Sequence, residues 1–108
     1  MTTTKAKKTT LSKIEIAGKM YPCRETMGAF LRYKNETGHE ASEMQTVSDW
    51  CTYLYCCIKS ASNADGVEFG YDLEMFADLI EADTLTQWIN LYVERLGEAQ
   101  KDAASKKK

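Results

Sequence analysis

The stretch from Trp50 to Ala61 constrains this chain more than any other. Trp50, Leu54, Cys57, Ile58 and Ala61 recur at i, i+4, i+7, i+8 and i+11, one stripe of an α-helix. Tyr53, Tyr55 and Cys56 carry apolar character around the rest of the rod. A helix that is apolar on most sides is stable only at the centre of a domain or against a partner. The rest of the chain has to be arranged around it, and 108 residues suffice for one such core and no second domain.

The flanking segments supply the shell. Lys13 to Ile16 alternates polar and apolar residues, the period of a half-buried strand. Ala17–Lys19 makes a turn and Met20–Cys23 a return strand, with Pro22 confining it to an edge. Thr26 and Gly38 bracket a helix as N-cap and C′ stop, with Met27, Phe30, Leu31 and the stem of Lys34 on its apolar face. A polar connection, His39 to Gln45, leads to Thr46 and Asp49, which resemble a capping box opening the central helix, with Ser48 as the alternative cap. That helix is expected to reach about Ala61 and to be followed by a turn at Asn63–Gly66. Val67–Phe69 is a candidate third strand, and Asp72 caps a short helix from Leu73 to Ile80. Thr84 and Gln87 form a capping box for the last helix, with a stripe of Leu85, Trp88, Ile89, Tyr92, Val93 and Leu96 that frays at Gly97. The expectation is a mostly helical α+β domain over 11–97, a β-hairpin packed on about four helices, with disordered tails at 1–10 and 98–108.

Charge is divided unevenly. Residues 1–8 and 101–108 each carry +3, which leaves −8 on residues 9–100 of a chain whose net charge is −2. An acidic body repels phosphate backbones, so nucleic acid is disfavoured as a partner. No export signal and no apolar run long enough to span a membrane is present, so a cytoplasmic protein without membrane contact is expected.

The residues that could carry chemistry do not form a catalytic or metal-binding pattern. A single histidine, His39, excludes a two-histidine metal site and is expected to be exposed. Cys23, Cys51, Cys56 and Cys57 are spaced 28, 5 and 1 apart, which matches no zinc motif. They read as reduced, mostly buried thiols. Seven acids between Asp65 and Asp83 lack the order of an EF-hand and read as a solvated face. No Gly-rich phosphate loop is present. The expectation is a non-enzymatic protein with no catalytic residue, metal or cofactor. The aromatic set exceeds what a small core needs. Either Tyr53 and Tyr55 of the second helix or Trp88 and Tyr92 of the last helix are expected to contact a partner protein.

The opening resembles that of the small tail assembly chaperones of long-tailed bacteriophages and prophages. Ile14, Ile16, Gly18, Lys19 and Tyr21 match their I-x-I-x-G-K-x-Y hairpin. Thr26 to Gly38 matches a T-M-G-A-x-x-R-F/Y-K-x-x-T-G helix. Tyr53–Ala61, Ala64–Phe69 and Leu73–Asp78 extend the likeness, which covers roughly Lys13 to Leu96. These motifs are structural, so no active-site residue is carried over. The resemblance implies a protein of the bacterial host cytoplasm that binds the tape measure protein and recruits tail tube subunits during tail assembly. Covering a long client takes many copies, which points to a homo-oligomer. Members of that family are often also made in a longer frameshifted form, for which the codons of Lys106–Lys108 offer a place; the alternative for this run is a disordered basic tail. The alternative is a small protein-binding adaptor or regulator without catalytic activity.

Overall fold

The computed structural model describes residues 10–106, with side chains as far as residue 97. Residues 1–9 and 107–108, and the side chains of residues 98–106, lie outside the described residues. Two strands, β1 (Lys13–Ile16) and β2 (Lys19–Pro22), are followed by α1 (Met27–Thr37), a 3₁₀ turn at Ala41–Glu43, α2 (Val47–Asp65), α3 (Leu73–Leu79) and α4 (Ala82–Lys106). The architecture is the mostly helical α+β one expected, with a hairpin and four helices.

β1 and β2 pair antiparallel, with Ile14 opposite Tyr21 and Ile16 opposite Lys19. Ile14, Ile16, Tyr21 and Cys23 face inward and are buried, while Lys13 and Glu15 face out. The two turn residues, Ala17 and Gly18, have φ of 53° and 82°. Positive φ at both positions is the two-residue hairpin geometry that matches strand twist, and it strains an alanine. Val67–Phe69 joins no ladder; the sheet has two strands. Phe69 is fixed by its side chain, edge-on to Tyr21 with ring centroids 5.0 Å apart, so no backbone pairing is needed to hold the segment.

α2 is the axis of the molecule. Nine of its side chains are buried, among them Tyr53, Leu54, Cys56, Cys57 and Ile58 with no exposed surface. Burying one aliphatic side chain of this size stabilises the fold by about 1.5–3 kcal/mol. Thr46 and Asp49 close the expected capping box. The helix continues four residues past Ala61 and stops where Gly66 turns left-handed at φ 73°. α1, β2 and α3 all pack on it.

The packing of α1 departs from the sequence reading. Ala29 and Tyr33 are fully buried, whereas Met27 and Leu31 keep 68% and 63% of their surface exposed. The cause is the close approach of α1 to α2. A Cβ on Gly28 would lie 3.2 Å from the Ser60 hydroxyl, which also accepts from Arg32 Nε at 3.0 Å. The side of α1 that meets α2 therefore carries Gly28 and Ala29 at the point of close approach and Tyr33 a turn further on, and the bulky aliphatics turn outward.

α4 also differs. Glu81 O accepts from Leu85 N at 3.1 Å, so the helix begins at Ala82 and Thr84 lies inside its first turn rather than capping it. With α3 ending at Leu79, the chain re-enters a helix almost at once. α4 then runs through Gly97 to Lys106. Leu85 and Trp88 are buried, while Val93 and Leu96 are exposed. Aromatic contacts attach this helix to α2. Trp88 stacks on Tyr92 with centroids 5.4 Å apart, and Trp50 meets both edge-on.

A polar clasp fixes the connection between α1 and α2. His39 is partly buried rather than exposed, with Nε2 hydrogen-bonded to the Tyr33 hydroxyl at 2.8 Å and 3.7 Å from Asp49 Oδ1. Burial pushes the Tyr33 phenol up to about 12. Asp49 Oδ2 accepts from the backbone N–H groups of Gln45 and Thr46. The Gln45 N–H chiefly, then Thr46 and His39, lower the Asp49 carboxyl below its ordinary value of 3.8.

Two outcomes are expected. Ala17→Asn relieves the left-handed strain and raises stability by about 0.5–1 kcal/mol, read as a higher thermal midpoint. An unchanged or lower midpoint would show that the turn is not strained. Because the folded pKa of Asp49 is depressed, its contribution is complete above the unfolded value and lost as pH falls through the folded one. Denaturant titrations below roughly pH 4 should show a shallower acid loss in Asp49→Asn than in the parent chain; parallel acid limbs would contradict this.

Candidate functional site

A groove of about 480 Å³ opens between α1, the 3₁₀ turn and α4. Its floor is aromatic. Phe30 of α1 stacks on Tyr53 of α2 with centroids 6.2 Å apart and the planes 11° from parallel, and Tyr92 of α4 closes the far side. Met27 and Leu31, one helical turn apart, form the exposed lip. Lys34, Glu40, Ala41 and Ser42 bound one end, where Lys34 Nζ and Glu40 Oε2 pair at 2.9 Å. From Met27 to Lys34 the α1 wall measures about 10 Å, two helical turns.

Glu25 stands at the other end. It immediately precedes Thr26, the N-cap whose hydroxyl accepts from Ala29 N. One Glu25 oxygen accepts from the Tyr53 hydroxyl at 2.6 Å. Burial, and then the neighbouring Glu25 carboxylate, raise the Tyr92 phenol above its ordinary value, and burial raises that of Tyr53, so both tyrosines remain protonated. A second hollow of about 300 Å³ lies beyond this partition, at the foot of the hairpin, and shares Glu25 and Tyr92 with the groove. Arg24 and Arg95 line it, with Arg24 held in a two-bond pair with Asp65.

The four aromatic residues expected to contact a partner are divided by the structure. Tyr92 is half-buried and lines the groove, and Tyr53 forms its floor while lying in the core. Tyr55 and Trp88 have almost no free surface. The Tyr55 hydroxyl donates to Tyr71 O at 3.0 Å and its ring packs on Phe76, while Trp88 is 1% exposed among Trp50, Tyr53 and Tyr92. These two side chains complete the core and leave no face for a partner. The accessible lip instead consists of Met27 and Leu31. Their i, i+4 spacing was visible in the sequence, but so was a core explanation for it.

The cysteines are packed as structural thiols. Cys23, Cys56 and Cys57 are buried and Cys51 is half-buried. Burial pushes the Cys56 thiol up to about 12 and raises that of Cys51, which suppresses the nucleophilic thiolate. A hydrogen bond with Cys23, followed by burial, raises Cys57. Among the described residues no three His, Cys, Asp or Glu side chains converge as metal ligands. The seven acids from Asp65 to Asp83 are all exposed; Asp65 pairs with Arg24 and Asp72 caps α3. No described helix is long and apolar enough to cross a membrane.

No protein-family model matches this chain, and no curated protein or solved structure matches it.

The division between lip and core has a direct consequence. Met27→Glu and Leu31→Glu should each change unfolding free energy by less than about 0.5 kcal/mol, as ordinary surface substitutions do. Trp88→Ala should cost about 3–5 kcal/mol by opening a cavity. Comparable losses in all three variants would place Met27 and Leu31 in the core instead.

Proposed function

We propose that this chain is a tail assembly chaperone that covers apolar stripes of a long helical client, the tape measure protein. The observation that carries the reading is the aromatic-floored groove with Met27 and Leu31 exposed on its lip. An amphipathic helix laid into such a groove buries its apolar face and is read through anchors spaced by one helical turn. A long helical client with uncovered stripes would aggregate, and a small domain of this shape shields it. The sequence likeness of the hairpin and of Thr26–Gly38 to phage tail chaperones supports the same reading. In it, the chaperone recruits tail tube subunits around the client, and the acidic surface from Asp65 to Asp83 is free to dock a basic partner surface.

Co-expression with the tape measure protein encoded with it tests this. The client should be insoluble alone and soluble in a complex of defined stoichiometry by light scattering. Leu31→Glu should reduce co-purified client roughly tenfold or more while the domain stays folded. A client equally insoluble with and without the chain would overturn the chaperone role. A soluble complex that ignores Leu31→Glu and Met27→Glu would remove the groove from it.

A further inference from the structure

The two ends of the groove are electrically different, and this difference selects the occupant. At the Lys34 end the charges are already neutralised, because Lys34 Nζ and Glu40 Oε2 are in contact at 2.9 Å. At the other end the Glu25 carboxylate is exposed and forms no ion pair among the described residues. Arg24, its neighbour in the chain, is committed to Asp65 at 2.7 Å. Arg95 lines the adjoining hollow and makes no ion pair with Glu25. The Tyr53 hydroxyl donates to Glu25 at 2.6 Å and holds it at the mouth of an apolar trough whose far side is Tyr92. Hydrogen bonds of this kind fix the position of a carboxylate without cancelling its charge, and a carboxylate beside apolar walls attracts a cation more strongly than one in open water.

We propose that the groove takes an amphipathic helix carrying one arginine or lysine, which meets Glu25, followed by aliphatic side chains one and two turns along that pack on Met27, Phe30, Leu31 and Tyr92. This rests on the groove being the client site and adds the chemistry by which it chooses among clients. Charge complementarity argues for the basic residue: residues 9–100 carry −8, so an acidic helix is repelled by the body and specifically by Glu25. Length argues for the spacing. The α1 wall from Met27 to Lys34 spans about 10 Å, room for two turns of an occupant helix beyond the residue at Glu25. Arginine suits the site better than lysine, because its planar fork can reach both carboxylate oxygens while the Tyr53 hydroxyl keeps the carboxylate in place. The same polarity sets direction, since an occupant with its cation at the Lys34 end would face an ion pair already formed.

The test is selection of a displayed library of random 16-residue helical peptides on the immobilised full chain, repeated on Glu25→Gln and on Leu31→Glu. The expected result is enrichment of peptides with Arg or Lys three or four residues from the first of two aliphatic positions. For such a peptide, changing the basic residue to glutamine should weaken binding to the parent chain by about tenfold and leave binding to Glu25→Gln nearly unchanged. Leu31→Glu should bind neither form. Enriched peptides that require Leu31 but show no basic residue, or that discriminate equally on Glu25→Gln, would overturn the charge selection and leave the client groove standing. No enriched peptide sensitive to Leu31→Glu would overturn both.

Discussion

The structure depends on the desolvation of α2. From Tyr53 to Ser62 nine of its ten side chains are buried, so this stretch has almost no face of its own for water and the other elements serve as its cover. The hairpin is too small to stand alone and is stabilised by laying Ile14, Ile16, Tyr21 and Cys23 on this core. α3 adds Phe76, and the segment before it adds Phe69, both against Tyr55. A short chain achieves this cover with large aromatic rings rather than with more elements, because each ring buries far more area than an aliphatic side chain.

The most consequential packing choice is the contact between α1 and α2. Gly28 allows the two helices to approach so closely that Ser60 and Arg32 share a hydrogen bond across the interface. Close packing places Gly28, Ala29 and Tyr33 against α2 and turns Met27 and Leu31 outward. α4 is attached differently, through the rings of Trp88 and Tyr92 against Trp50 and Tyr53 of α2. One helix held close and one held at the width of a ring leave a trough between them with Phe30 and Tyr53 as its floor. In this arrangement the groove follows from unequal packing distances rather than from a missing residue.

Tyr53 links the two roles. Its ring is wholly buried and in contact with Phe30, Tyr33, Trp88 and Tyr92, so it belongs to the core. Its hydroxyl reaches the Glu25 carboxylate at the mouth of the groove. A residue of this kind holds a surface charge in position from within a rigid interior, which is how a small domain can present a defined binding polarity without a dedicated loop.

Much of the fold was legible in local patterns. The alternation at Lys13–Ile16, the caps at Thr26, Thr46 and Asp72, and the left-handed glycines at positions 38 and 66 follow from backbone hydrogen bonding and sterics over a few residues. The nearly all-round apolar character of Tyr53–Ile58 identified the central helix for the same reason. Other features depended on what lies across the core. Periodicity marks Met27, Phe30 and Leu31 as one face but cannot say whether that face or the Gly28–Ala29–Arg32–Tyr33 side meets α2, because the answer depends on the distance of approach. Thr84 and Gln87 satisfy the capping pattern, yet the preceding helix ends so near that the next begins at Ala82. Tyr55 and Trp88 could not be separated from Tyr92 by residue type, since all three are large aromatics on helices. The sequence alone determined the elements and the need to bury α2; tertiary structure decided which side chains were left over to face a partner, because exposure is set by the distances between elements and not by any residue's own chemistry.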